Sequence, residues 1–251
     1  MNLNSILSIN RTGLNGLQDN LDNISHNIAN SSTVGYKGMV SSFNELMNNN
    51  LTENDLSLGQ NAGALASSSG INVGSNMIDD RVGEYENTGR SLDLAIKGNA
   101  FFGLQGPNGQ IYLTKAGDFH RDETGALVAS NGYRVAVNAQ VPQQNWPAGD
   151  LKISPNGQIS AGQQVLGQLQ LYTPNNEHSL VSVGANLYQA RGGFTLGAGN
   201  STVMQGTLES ANVDLAQEMT NMISTQRSYQ LNSRAVSATD EMMESINHFT
   251  D

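Results

Sequence analysis

Hydrophobic positions keep one rhythm at the two ends of the chain and another in its middle. Leu7, Leu14, Leu17, Leu21, Ile24 and Ile28 follow one another at intervals of 7, 3, 4, 3 and 4. That is the a/d spacing with which a helix keeps one side turned to a partner. Gly13 and Gly16 interrupt the run at about 1 kcal/mol each relative to alanine, so the isolated helix is marginal. It stops at Ala29-Asn30-Ser31-Ser32-Thr33-Val34-Gly35, a cluster of turn residues. At the other end Leu215, Met222, Tyr229, Val236 and Met243 are each seven apart, and Met219 adds a flanking position. Asp214 stands three residues before Gln217, a capping-box-like start. The complementary positions, read as Gln226, Ser233 and Asp240, are polar. The second helix therefore has the narrower apolar seam.

Between the ends the period switches to two. Leu92, Leu94 and Ile96 alternate with Asp93 and Ala95; Tyr133, Val135 and Val137 alternate with Arg134 and Ala136; Leu169 and Leu171 alternate with Gln168 and Gln170. Turn signals stand at Pro107-Asn108-Gly109, Glu123-Thr124-Gly125, Asn131-Gly132 and Pro155-Asn156-Gly157. The reading is mixed and mainly β. An N-terminal helix over residues 1–40 leads through an extended linker at 41–72, polar from Asn48 to Gly70, into an irregular Gly-rich β domain at 73–205. A C-terminal helix follows at 206–251. Because its alternation and turns are locally complete, the middle, from about Val73 to Met204, is expected to fold without the ends.

Composition then narrows the function. Twelve basic against 22 acidic residues leave a formal net charge of −10, which argues against binding nucleic acid through phosphates or a membrane through a polybasic surface. Cysteine is absent, which removes disulfides, thiolate metal sites and cysteine nucleophiles. No apolar stretch is long enough to span a membrane, and Met1–Asn30 carries no cleavable secretory signal. His26, His120, His178 and His248 have no metal-ligand spacing. His120-Arg121-Asp122 spells the start of a kinase catalytic loop without the partners that loop needs, and reads as the end of a strand before a turn. Asn30-Ser31-Ser32 and Asn200-Ser201-Thr202 match the glycosylation pattern, as chance allows in a chain rich in Asn and Ser. No catalytic residue, metal site or cofactor is expected. Two amphipathic ends can pack on the protein's own core, or pair with each other and leave a stripe that joins identical copies into a filament. Their place at the extremes of the chain favours the second. On that reading Leu21, between Leu17 and Ile24, becomes buried only on assembly. An Asn/Gly-rich secreted β module that binds a carbohydrate or acts as an adhesin remains an alternative.

Ala29-Asn30-Ser31-Ser32-Thr33-Val34-Gly35-Tyr36-Lys37 resembles the Ala-Asn-x-x-Thr-x-Gly-Tyr/Phe-Lys signature of bacterial flagellar rod and hook proteins. Leu92 to Phe102 is similar to that family's central motif, with Ala100 where glycine is usual. Gly206–Leu215, Met222–Tyr229 and Arg234–Met242 resemble its C-terminal stretch. Length and the Asn48–Gly70 segment are most like the distal of the two rod types, and the proximal type shares the motifs. The resemblance implies a structural subunit of the flagellar basal body that self-assembles outside the inner membrane and transmits torque from motor to hook. It implies export by the flagellar type III apparatus without a cleaved signal, and partners among copies of itself and other rod and hook proteins. It further implies that the two terminal helices pair as a coiled coil, with no direct membrane insertion.

Overall fold

Both seven-residue rhythms become helices. A computed structural model describes residues 3–41, 43–48, 67–73, 77–107, 109–147, 149–176 and 180–250. Helix α1 runs Leu3–Ala29 and helix α2 runs Leu215–Thr250. Residues 29–37 leave the helical path in a series of turns, where Thr33 donates both its amide and its hydroxyl back to Asn30. Asp214 directly precedes α2, so the acidic residue expected to open that helix stands at its positive, N-terminal end.

The chain divides into two compact units. The first gathers residues 1–28, 39–76 and 215–251. In it α1 and α2 touch, and Phe43–Asn48 pairs antiparallel with Ser67–Val73. The linker expected over 41–72 lies outside the described residues for 49–66. Its two flanks are these paired strands rather than an unbroken extended connection.

The second unit comprises Ala29–Gly38 and Met77–Asp214. Its largest sheet runs, in spatial order, through Leu180–Gly184, Leu187–Ala190, Ile111–Thr114, Phe101–Gln105, Arg134–Val135, Leu127–Ala129 and Phe119–Arg121. Leu171–Pro174 pairs with the start of the Phe101–Gln105 strand and carries Phe194–Leu196 on its other side. A second sheet orders Val137–Ala139, Gln164–Leu169, Gln158–Ala161 and Lys152–Ile153. Every described pairing is antiparallel, as short strands joined by tight turns require. Gly109, Gly125, Gly132 and Gly157, the four turn glycines named from sequence, all take positive φ, between 73° and 83°. Phe102, Phe119, Leu94, Ile96, Leu104, Leu127, Ile159 and Leu166 are buried in one core, where Phe102 and Phe119 meet edge to face at 5.0 Å. His120-Arg121-Asp122 ends a strand, as its sequence reads. Asp122 closes the following turn by accepting from the amides of Thr124 and Ala126, and Arg121 donates to the carbonyls of Trp146 and Pro147.

The β unit reaches further in sequence than its strand pattern. Ala29–Gly38 belongs to it, and so does the stretch up to Asp214. Thr207–Glu209 pairs there with Tyr85–Asn87.

Candidate functional site

The residues of the N-terminal signature form a clasp in the second unit. Gly35 has φ +64°, and a Cβ there would lie 2.4 Å from the amide nitrogen of Ala116 and 2.5 Å from the carbonyl carbon of Lys115. Both neighbours are backbone, so only glycine fits. Its amide donates to the carbonyl of Glu209 at 2.6 Å. Two residues on, Lys37 is 2% exposed and its Nζ lies 2.7 Å from Oε1 of Glu209, itself 1% exposed. The same ammonium donates to the carbonyl of Arg81 at 2.6 Å, and Glu209 Oε1 also accepts from the amide of Gly83 at 3.0 Å. Glu209 Oε2 has no hydrogen-bond partner among the described residues. The amide of Lys37 donates to the hydroxyl of Tyr188, which bonds Asn186 in turn. Burial drives the Tyr188 phenol well above its ordinary value, more than the Lys37 amide lowers it.

Asn212 closes the clasp from the far end of the sequence. Its Nδ2 donates to the carbonyls of Asp79 and Arg81, both at 2.9 Å, its Oδ1 accepts from Gly38 at 2.7 Å, and its amide donates to Tyr36. Beside it Arg81 grips Asp79 with two nitrogens. Burial pushes the Asp79 carboxyl up, but the hydrogen bonds and charge of Arg81 outweigh that and hold it below its ordinary value.

The helix pair of the first unit is built differently. Asn27 Nδ2 lies 3.4 Å from Glu218 Oε1, Asn20 Nδ2 donates to Thr225 Oγ1 at 3.2 Å, and Asn232 Nδ2 donates to the carbonyl of Asn10 at 3.3 Å. The order of these contacts is opposite on the two helices, so they run antiparallel. Asn27 also bonds both main-chain groups of Met39, and Asn23 donates to the hydroxyl of Ser41. Of the twelve seam positions expected from sequence, Ile24 is buried, and Leu7, Leu14, Leu17, Leu21, Ile28, Met222, Tyr229 and Val236 are half-buried. Leu215 and Met219 are 43% and 50% exposed, and the side chain of Met243 lies outside the described residues. Leu21 is thus partly covered within one chain, not left wholly for assembly. The second stripe of α2 also differs from its reading. Gln226, Ser233 and Asp240 are exposed, whereas Thr225, Asn232 and Thr239, one residue earlier, are covered.

Three family models match the chain. One described as Flagella basal body rod protein matches residues 7–37, one described as Flagellar hook protein FlgE/F/G D1 domain matches 95–161, and one described as Flagellar basal body rod FlgEFG protein C-terminal matches 204–248. Flagellar basal-body rod protein FlgG of Buchnera aphidicola subsp. Acyrthosiphon pisum is 35% identical, over 96% of this chain and 97% of that one. The FlgG proteins of Agrobacterium fabrum and Bacillus subtilis are 33% and 32% identical, each over 94% of this chain and 95% of the relative. The chain belongs to the flagellar basal-body rod protein family.

Membership makes it a structural protein of the flagellum and not an enzyme, and these names give no support to an adhesin or carbohydrate-binding module. Among the described residues no group of three or more His, Asp or Glu side chains could hold a metal ion, and no helix is long and apolar enough to cross a membrane. His178 and the side chain of His248 lie outside the described residues. Within the rod-family signature, Gly35, Tyr36 and Lys37 are buried, while Asn30 and Thr33 shape the turn between α1 and the clasp. Sequence reasoning missed Glu209, Asn212 and Tyr188 as partners of that signature. The first two stand inside the Gly206–Leu215 motif, where resemblance alone marked them. Tyr188 carried no signal.

Proposed function

We propose that this chain is a self-assembling subunit of the flagellar rod, most like the distal rod protein, and that it helps transmit torque from motor to hook. In this reading it is exported by the flagellar type III apparatus without a cleaved signal, works outside the inner membrane, and meets copies of itself and other rod and hook proteins. It inserts into no membrane. Its α1 and α2 pair as a coiled coil whose remaining apolar surface joins neighbours. The likeness to FlgG proteins over nearly the whole chain supports the rod assignment. The observation that carries the assembly reading is on α2. Leu215, Met219 and Ile223, on successive turns, are 43%, 50% and 53% exposed in the single chain. Full burial of such a side chain is worth about 1.5–3 kcal/mol, so covering the exposed half gains about 0.7–1.5 kcal/mol, and a polymer repeats that gain at every subunit.

Met219→Asp therefore separates assembly from folding better than a change at the half-buried Leu21. The expected result is loss of swarming and of rods in isolated basal bodies, with the melting temperature of purified monomer unchanged. Leu21→Asp should abolish swarming too, with some loss of monomer stability. Normal swarming with Met219→Asp would refute the proposed seam.

A further inference from the structure

The polar contacts between α1 and α2 recur every seven residues on both helices. Asn27 faces Glu218, Asn20 faces Thr225, and Gly13 faces Asn232, whose amide nitrogen would stand 2.9 Å from a Cβ added at Gly13. Along α2, apart from Asn221 beside Met222, the covered side chains Glu218, Met222, Thr225, Tyr229, Asn232, Val236 and Thr239 alternate in steps of four and three. The covered seam is thus half apolar and half hydrogen-bonding. Its best-covered members are two threonines, Thr225 at 7% exposure and Thr239 at 5%, while Met222 and Tyr229 are only half-buried. A seam selected for tight pairing alone would place apolar side chains at the best-covered positions. Polar groups inside a helix seam cost affinity, and what they give in return is choice among alignments.

We propose that these rungs, with Asn20–Thr225 at their centre, set the register of the antiparallel helix pair, so that it closes in one alignment and stays weak enough to reopen. A slip of one heptad in one direction sets Asn20 against Asn232, two amides with no glycine opposite to make room, and turns Asn27 onto Thr225. A slip in the other direction sets Asn20 against Glu218 and leaves the buried Thr225 hydroxyl opposite Gly13, which offers it no side chain. Gly13 is therefore the space that admits the Asn232 rung, not merely a weak point in a helix. The inference rests on the pairing read under the proposed function, but not on the rod. Register is measured on the purified chain, so a fault in the register idea shows even if assembly behaves as proposed.

The chain has no cysteine, which leaves it clean for labelling. Spin labels on Asp19→Cys and Gln226→Cys, both exposed and each beside the central rung, report the alignment in the full-length protein. With the native rungs a single narrow distance is expected. Asn20→Leu with Thr225→Leu should add a second population displaced by about 10 Å, seven residues at the helical rise. Its helix signal should melt no lower than the parent's. The exchanged rung, Asn20→Thr with Thr225→Asn, keeps a hydrogen-bonding pair and should restore one distance. An unchanged single distance in the leucine pair would overturn the proposal. So would a second distance in the exchanged pair while it remains folded, whether or not the leucine pair folds.

Discussion

Lys37→Met tests the clasp at its centre. The methionine fills most of the same space but removes the one cation that pairs with Glu209 among the described residues; Glu209 is 1% exposed and, among those residues, keeps only the Gly83 amide on Oε1. The carbonyl of Arg81 keeps its bond from Asn212, so the loss falls on Glu209. Removing one partner of a buried ion pair costs about 3–5 kcal/mol, because the survivor stays charged and unpaired. For a unit of this size each kcal/mol lowers the melting temperature by about 2–4 °C, which places the expected fall at about 6–20 °C. Glu209→Gln in the same chain should recover most of it, since a neutral amide no longer needs the ammonium and still accepts from Gly83. Calorimetry of the parent, the two single variants and the double variant measures the coupling. A fall below about 2 °C for Lys37→Met, or additive losses in the double variant, would refute the reasoning.

Gly35→Ala should cost about 2–5 kcal/mol by urea unfolding, from left-handed strain plus a backbone clash, whereas Gly109→Ala, at φ +73° with nothing within 4 Å, should cost about 1–2 kcal/mol. On the acid side, the depressed carboxyls of Asp79 and Asp122 give stability that is complete above the ordinary value of 3.8 and is lost as pH falls through their lower folded values. On the alkaline side the raised Tyr188 phenol works oppositely, with stability intact below its ordinary 10.0 and falling above it by about 1.4 kcal/mol per pH unit. Tyr188→Phe should flatten that limb in a pH series of urea melts. A chain cut to residues 77–214 should melt below the intact β unit, because Glu209 then lacks Lys37, and a peptide of residues 29–38 added in excess should raise its melting temperature.

What the sequence made legible was whatever repeats. Period-two alternation and glycine turns located the strands, because both are local, and the turn glycines took the conformation only glycine adopts cheaply. Heptad spacing located both helices for the same reason. The stripe of α2 beside Met222, Tyr229 and Val236 was misplaced by one residue. Positions three and four residues away flank the same ridge, and polarity alone does not choose between Thr225 and Gln226. The expectation that the middle folds without the ends overlooked the Lys37–Glu209 pair, whose members are 172 residues apart and leave no periodic trace. A lysine and a glutamate in an Asn-rich chain read as surface charges until the fold brings them together.

The two end motifs therefore hold two kinds of information in adjoining residues. Up to Ile28, and again from Leu215, the repeating apolar letters serve the helical unit. From Ala29 to Gly38, and up to Asp214, the non-repeating letters serve the β unit. Helix α1 leads into the β unit through the Ala29–Gly38 loop, and α2 begins three residues after Asn212. Asn212 bonds Tyr36 and Gly38 of that loop and the carbonyls of Asp79 and Arg81 as well. A pull transmitted along α2 meets Asn212 before it meets any strand of the β unit, and is shared at once with the loop on which α1 ends. Hydrogen bonds strung between segments so distant in sequence must be broken together for either helix to peel its connection away, whereas bonds within one hairpin could open one by one. On the proposed role in transmitting torque, the short polar segments beside the helices are as necessary as the apolar seams within them.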